Sequence, residues 1–119
     1  MSVGVRVRLK EMSEVLNKDI ARLSELWNEG LERFGGPFLA GKAFSGVDAF
    51  FAPVAFRIQT YGLKLDGNSN GYAQRLLDLP SMRAWYDAGI AEAFRDVEHD
   101  EEVLHWGTVT EDLRAKAAL

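Results

Sequence analysis

The stretch GGPFLAGKAFSGVDAFFAPVAFRIQTY, residues 35–61, gives the clearest indication of how this 119-residue chain folds. Ser45 and Asp48 lie three apart directly before an apolar run, which is the spacing of a capping box. In such a box the Ser hydroxyl accepts from the backbone N–H three residues on, and the acid accepts from the cap residue's own N–H. Because a helix that is apolar all round is normally buried, we predict a central helix over 46–61 with the Phe50–Phe51 pair in the core.

Three further segments have helical patterns. Apolar residues recur three or four apart between 13 and 34, which is typical of an amphipathic helix, and Gly35 can end that helix with a positive φ. A short helix is predicted over 69–78. Another begins at Pro80, since proline suits the first turn of a helix, and is expected to run to about residue 94.

The two ends of the chain lack this pattern. Residues 2–10 alternate apolar residues with glycine or basic ones, which is a strand period. No partner strand is evident, so we interpret residues 1–10 as an extended arm. It is followed by a helical domain over 11–109, whose last part from His99 onward is interpreted as irregular. A tail over 110–119, possibly helical, completes the chain.

Composition excludes several classes of function. The net charge is −4 and the isoelectric point is about 5.2, which disfavours binding to nucleic acid or to an anionic membrane. The chain has no cysteine, so neither a disulfide framework nor a thiol nucleophile is available. No apolar run approaches the roughly 18 residues of a membrane span, and the N-terminus has no signal-peptide pattern. We therefore expect a cytoplasmic protein with no nucleic-acid or membrane partner.

Four motifs, in this order and spacing, resemble the C-terminal helical domain of glutathione S-transferases. They are Gly-Pro-Phe-Leu-Ala-Gly at 36–41, Phe-Ser-x-x-Asp-Ala at 44–49, Ala-Pro-Val at 52–54 and Leu-Pro-Ser-Met-Arg-Ala-Trp at 79–85. The resemblance covers roughly residues 11–105. It implies an all-α helical bundle that supplies the hydrophobic-substrate half of an active site and shares in a dimer interface.

The resemblance also implies what this chain is expected to lack. In the family a thioredoxin-like domain precedes the helical one, holds most of the glutathione site and activates the thiol. The first predicted helix begins at about residue 13, whereas a βαβ unit alone needs roughly 30 residues or more. We therefore expect no catalytic residue and no cofactor in this chain alone, with glutathione implied as co-substrate. The expected partners are a second copy of the chain, a thioredoxin-like domain and a small hydrophobic electrophile.

Three side chains are candidates for a substrate pocket: Arg57, Tyr61 and Trp106. A structural role stays open for each, because an arginine can bury its stem and extend its head to the surface, and the two aromatics can be ordinary surface residues. Ser45 and Asp48 are assigned to the helix cap, since no histidine lies near them in the sequence.

The acidic stretch around His99 and His105 is interpreted as a solvated turn. The two histidines are six residues apart, which does not place both on one face of a helix. No metal site is therefore predicted.

Two functions from different classes are consistent with these residues. One is the substrate-pocket and dimerisation half of an enzyme that transfers glutathione to a hydrophobic electrophile, inactive without its thioredoxin-like domain. The other is a non-catalytic protein-interaction module of the same fold, of the kind found in translation factors and aminoacyl-tRNA synthetases. Whether the chain is a natural stand-alone protein or a truncated product is left open.

Overall fold

The structure, a computed structural model, describes residues 2–116. In that range it contains five helices and two strands, in this order: β1 (Val5–Leu9), α1 (Glu14–Phe34), α2 (Gly46–Tyr61), α3 (Ser69–Leu77), α4 (Pro80–Ala91), α5 (Val97–Trp106) and β2 (Gly107–Asp112). The two strands pair in an antiparallel sheet. The fold is thus mostly helical, and the all-α expectation was too strict.

The first two helices begin and end where the sequence predicts. Ser13 caps α1, because its hydroxyl accepts a hydrogen bond from the N–H of Leu16 at 3.1 Å, and Gly35 ends the helix with φ of 82°. The capping box at α2 is confirmed. Its stronger arm runs from the N–H of Ser45 to the Asp48 carboxylate at 2.9 Å. The other arm, from the Asp48 N–H to the Ser45 hydroxyl, is longer, and that hydroxyl also donates to the Asp48 carboxylate at 3.2 Å.

Asp48 has a larger structural role than capping. Its side chain is fully buried, and it also accepts from the Tyr72 hydroxyl at 2.6 Å and from the backbone N–H of Leu39 at 3.1 Å. Burial first, and then this bond to Asp48, raises the pKa of Tyr72. A buried carboxylate is tolerated only where such donors replace water. One side chain therefore joins α2, α3 and the loop over 35–45.

Aromatic side chains fill the main core between α1, α2 and α3. Trp27 and Tyr72 are fully buried and pack edge to face with ring centroids 4.8 Å apart. Phe51 packs on Trp27 in the same way at 5.4 Å, as predicted. The prediction for Phe50 is wrong, because that side chain is 86% exposed. Neighbouring residues on a helix point about 100° apart, so Phe50 faces away when Phe51 faces the core.

The N-terminal segment is a paired strand, which corrects the expectation of an extended arm without a partner. In β1, Val5 lies opposite Asp112 and Leu9 lies opposite Gly107 in β2, with a bulge between Arg6 and Val7. The two strands lie at opposite ends of the chain. A strand pattern shows that a segment is extended but does not show which distant segment pairs with it.

The C-terminal part is also more regular than expected. Helix α5 and strand β2 occupy the region from His99 onward that was interpreted as irregular. The proposed tail helix over 110–119 is not found up to Lys116, since β2 continues to Asp112 and residues 113–116 are not helical. Residues 117–119 of that tail lie outside the described residues.

A second, smaller core holds this C-terminal part in place. Val5, Val7 and Val103 are buried together, with Tyr61 and Val109 packed against them. Strand β1 approaches β2 so closely at Gly107 that a Cβ there would lie 2.5 Å from the carbonyl oxygen of Arg8. The small core and the sheet thus fix α5 against the C-terminal end of α2.

Candidate functional site

The last turn of α2 presents two of the predicted site residues. Arg57 and Tyr61 are four residues apart and therefore lie on one face of the helix. Gly62 ends the helix with φ of 60°, and the N–H of Leu63 donates to the carbonyl of Ile58 at 3.0 Å. This ending turns the chain sharply, so that Leu63 lines the same cleft as Arg57 and Tyr61.

Trp106 reaches the site from α5. It is the last residue of that helix, and its carbonyl accepts from the N–H of Lys10 at 3.0 Å. Burial of Val103 against β1 fixes the approach of α5. The structure therefore brings together all three predicted residues, Arg57, Tyr61 and Trp106, along two neighbouring clefts.

The two clefts differ in their linings. The polar cleft has a volume of about 520 Å³ and is completed by Ser2, Thr60, His99, Glu102 and Val103. The apolar cleft has a volume of about 620 Å³ and is completed by Leu9, Lys10, Glu11, Ser13, Leu16, Leu63 and His105. Both volumes are in the range of small-molecule sites. Arg57, Tyr61 and Trp106 form the wall that the two clefts share.

The polar side chains that line the clefts are able to contact a ligand. Burial raises the pKa of the Tyr61 hydroxyl, the charge of Glu102 raises it further, and the charge of Arg57 acts in the opposite direction. Tyr61 is therefore a neutral hydrogen-bond donor at physiological pH, not a base. Among residues 2–116, neither Arg57 nor Lys10 takes part in a salt bridge.

His99 belongs to a helix cap. Asp96 precedes α5 and accepts from the N–H of His99 at 3.3 Å, while its other oxygen lies 2.6 Å from the His99 ring nitrogen Nδ1. The stretch interpreted as a solvated turn is thus part of helix α5, with His99 in its first turn and His105 in its last. In the described part of the chain no group of three or more His, Asp or Glu residues could hold a metal ion.

The helix cap lies far from these clefts. Ser45 and Asp48 are at the N-terminal end of α2, whereas Arg57 and Tyr61 are at its C-terminal end. A helix of 16 residues is roughly 24 Å long. The buried Asp48 network therefore stabilises the fold and takes no part in the lining of either cleft.

The comparison with known proteins agrees with this architecture. The family model described as glutathione S-transferase, C-terminal domain, matches residues 6–88. The chain belongs to this family. Searches of curated proteins and of solved structures found no match. No helix among residues 2–116 is both long enough and apolar enough to cross a membrane.

The family match covers only part of the site. Arg57 and Tyr61 lie inside the matched residues, whereas α5 and Trp106 lie beyond them. Sequence reasoning missed Lys10, Leu63 and Glu102, which also line the clefts. The strand period of residues 2–10 was the available signal for Lys10, but its partner strand was not recognised. The role of Arg57, Tyr61 and Trp106 in ligand binding stays a prediction.

Proposed function

We propose that this chain forms the substrate-binding half of a glutathione-transferase-type enzyme and that its apolar cleft receives a small hydrophobic electrophile. One observation carries the proposal: Arg57, Tyr61 and Trp106 come from two separate helices and line the same pair of clefts. Leu9, Leu16 and Leu63 supply an apolar wall from three different elements. Such a lining, with a few polar groups, is typical of small-molecule sites.

The proposed reaction joins two molecules held by two domains. The thiolate of glutathione attacks an electrophilic carbon and displaces its leaving group, since the thiolate is the reactive form of a thiol. In this proposal a partner thioredoxin-like domain binds glutathione and lowers the pKa of its thiol. The helical domain holds the electrophile against Trp106, and the neutral Tyr61 hydroxyl donates a hydrogen bond to a polar substituent. No residue of the helical domain is assigned a catalytic role.

Tryptophan fluorescence tests where the ligand binds. A dinitrophenyl halide in the apolar cleft should quench Trp106, which is 54% exposed. The Trp106→Phe variant should lose most of the saturable quenching. Trp85→Phe is the matched control, because Trp85 is 44% exposed but packs on Phe56 away from both clefts. Quenching that does not saturate would contradict the proposed site. Quenching that is lost in Trp85→Phe but kept in Trp106→Phe would contradict it as well.

Activity of the purified chain tests whether thiol activation belongs to the partner domain. Because thiol activation is assigned to a partner domain, the 119-residue chain alone should not conjugate glutathione to a dinitrophenyl halide above background. Turnover that scales with the concentration of this chain would show that the helical domain contains the group that activates the thiol.

A second function is favoured by one specific surface. Leu26, Phe34, Val47 and Phe50 on α1 and α2 are all at least 39% exposed, and large exposed apolar patches often mark interfaces. In this alternative the domain is a non-catalytic interaction module whose partner is a second copy of the chain. Sedimentation equilibrium should then show a dimer that dissociates in Phe50→Ser. A wild-type monomer at micromolar concentration would remove this alternative.

A further inference from the structure

We propose that Asp66 is a site of spontaneous covalent modification, at which the aspartate becomes isoaspartate through a cyclic imide formed with Gly67. The two residues are an Asp-Gly pair in the turn between α2 and α3. The only other reactant is water. The inference is independent of the proposed function, because neither residue lines the polar or the apolar cleft.

The reaction joins the side chain of Asp66 to the main chain of the next residue. The amide nitrogen of Gly67 attacks the carboxyl carbon Cγ of Asp66 and a C–N bond forms. The protonated carboxyl loses its hydroxyl, which leaves as water with the proton of the amide nitrogen. Water then opens the five-membered imide. Opening at Cγ restores aspartate, whereas opening at the former main-chain carbonyl gives isoaspartate, in which the main chain runs through Cγ and gains one methylene group.

Both reacting groups are free in the described part of the chain. Asp66 is exposed, and its carboxylate takes part in no hydrogen bond or salt bridge among residues 2–116. The N–H of Gly67 has no acceptor in the same range. Most backbone N–H groups of a folded chain are bonded to a protein acceptor. An amide that is not bonded in this way reacts without first breaking a hydrogen bond.

Gly67 also leaves its nitrogen unshielded, because glycine has no side chain. Its φ is 61°, in the left-handed region that glycine adopts without steric cost. A Cβ at this position would lie 3.0 Å from the amide nitrogen Nδ2 of Asn28. The turn therefore requires glycine at the position where glycine most favours attack on the preceding aspartate.

A second pair of the same chemical type is protected. Asn70 precedes Gly71, and an asparagine before glycine forms the same imide with loss of ammonia. Asn70 lies in the first turn of α3, however, and both ends of its amide are bonded to Leu65. The oxygen Oδ1 accepts from the Leu65 N–H at 2.9 Å, and Nδ2 donates to the Leu65 carbonyl. We therefore expect Asn70 to stay unmodified while Asp66 reacts.

Isomerisation should loosen the turn from α1. The main-chain N–H of Asp66 donates to the hydroxyl of buried Ser24 at 3.1 Å, and its main-chain carbonyl accepts from the Asn28 amide at 2.9 Å. In isoaspartate that carbonyl carbon leaves the main chain as a carboxylate, and the added methylene displaces Gly67. Because the geometry of both bonds is lost, the melting temperature of the modified chain should fall by a few degrees.

Ageing of the purified 119-residue chain tests the site. The chain is kept at neutral pH and physiological temperature for several weeks and is then digested with trypsin. Cleavage after Lys64 and Arg75 releases LDGNSNGYAQR, residues 65–75, so both candidate pairs lie in one peptide. We expect a second chromatographic peak of unchanged mass that is methylated by isoaspartyl methyltransferase, and a minor peak lighter by one water, which is the imide. Electron-transfer fragmentation assigns the isomer to Asp66.

Asp66→Glu is the matched control. It keeps a carboxylate in the same turn, but attack by Gly67 would have to form a six-membered ring, which is much slower. No isomer should accumulate in this variant. Far-ultraviolet circular dichroism checks that the fresh variant folds. The synthetic peptide of residues 65–75 is aged in parallel and shows that the conditions allow the reaction.

The isomer at Asp66 in the wild-type chain, together with its absence in Asp66→Glu, would support the proposal. If the free peptide isomerises but the folded chain does not, the fold protects Asp66 and the proposal is wrong. Modification at Asn70 instead, or an equal amount of isoaspartate in Asp66→Glu, would overturn the choice of reactive pair. An isomer-rich fraction that melts at the same temperature as the fresh chain would overturn the expected loosening of the turn.

Discussion

The four-helix part of the molecule, α1–α4, and the closing segment, α5 with β2, are stabilised in different ways. The four-helix part begins and ends its first two helices with local signals such as Ser13 and Gly35, and its core is built around Trp27. The closing segment depends on pairing with β1 at the other end of the chain. The two clefts lie where these two regions meet, so the site forms only when the closing segment is in place.

The difference in packing leads to a difference in expected stability. The main core contains twelve buried hydrophobic residues, all but Val3 from the four-helix part, whereas the cluster beneath the closing segment contains three, Val5, Val7 and Val103. Regions with few buried apolar contacts open at lower free energy than the main core. We therefore expect the closing segment to open without unfolding of α1–α4, and ligand binding to reduce that opening.

The largest expected effect is loss of the buried network in the four-helix part. Asp48→Ala removes the acceptor of Leu39 N–H, Ser45 N–H and the Tyr72 hydroxyl. Each buried donor left unpaired costs about 1–3 kcal/mol, so the free energy of unfolding should fall by about 3–5 kcal/mol. Urea titration measures the loss.

Ser45→Ala provides the comparison for that measurement. It removes only a capping hydroxyl and should cost about 1 kcal/mol. If Asp48 served only the helix cap, the two variants should lose similar amounts of stability. Because Asp48 also accepts from Leu39 and Tyr72, Asp48→Ala should lose more. Equal urea midpoints for Asp48→Ala and Ser45→Ala would show that the bonds to Leu39 and Tyr72 contribute little. The two effects should not add in the double variant, because both residues serve one network.

A smaller effect is expected from loosening the closing segment. Gly107→Ala places a Cβ 2.5 Å from the carbonyl oxygen of Arg8, which forces the two strands apart. Overpacking of this kind typically costs about 1–3 kcal/mol. Hydrogen exchange should show faster exchange at Val109 and Val7, with little change at Trp27.

Gly46→Ala is the matched control for that variant. A Cβ at Gly46 would meet no atom within 4 Å. It should leave exchange in the closing segment unchanged. If Gly107→Ala instead accelerates exchange equally in the closing segment and in α1–α4, the two regions unfold together and the closing segment does not open independently.

The smallest effect concerns the charge network at the end of the closing segment. Arg114 donates to Asp112 at 2.8 Å and to Asp100 at 2.9 Å, and its bond to Asp112 lowers the pKa of that carboxyl from 3.8 to about 2. A lowered pKa gives stability that is complete above pH 3.8 and is lost as the pH falls through about 2. Because the Asp112 side chain is 43% exposed, the contribution should stay below about 1 kcal/mol.

Thermal unfolding of Asp112→Asn against wild type measures this contribution. The difference in melting temperature should be largest near neutral pH, should shrink as the pH falls through about 2, and should vanish only well below that pH. A difference of the same size at about pH 1 and at neutral pH would show that Asp112 stabilises the fold by something other than its charge.

Local signals made the four-helix part predictable from sequence. The Ser45–Asp48 box, Gly35 and Pro80 each mark a helix boundary through short-range chemistry, and the bounds of α1 and α2 were found from them. The closing segment was missed because a strand needs a distant partner. Phe50 was placed in the core because composition alone does not show which face of a helix is covered.

The candidate site was predictable only in part for the same reason. Arg57 and Tyr61 follow from the apolar helix that contains them, and Trp106 was proposed as an aromatic residue. Lys10 and Glu102 became visible only when strand pairing brought both ends of the chain to α2. The direction in which the pKa of Tyr61 moves depends on burial and on Glu102, neither of which the sequence shows.

A nuclear magnetic resonance titration of the wild-type chain with a dinitrophenyl halide shows where a small aromatic ligand binds. The chain has three tryptophans, so three indole N–H signals report separately on the core at Trp27, on α4 at Trp85 and on the cleft at Trp106. We predict a saturable shift of the Trp106 signal, accompanied by the backbone signals of Tyr61 and Leu63, with the Trp27 and Trp85 signals unmoved. A shift confined to Trp85, or no saturable shift at Trp106, would contradict the assignment of the ligand site to the cleft between α2 and the closing segment.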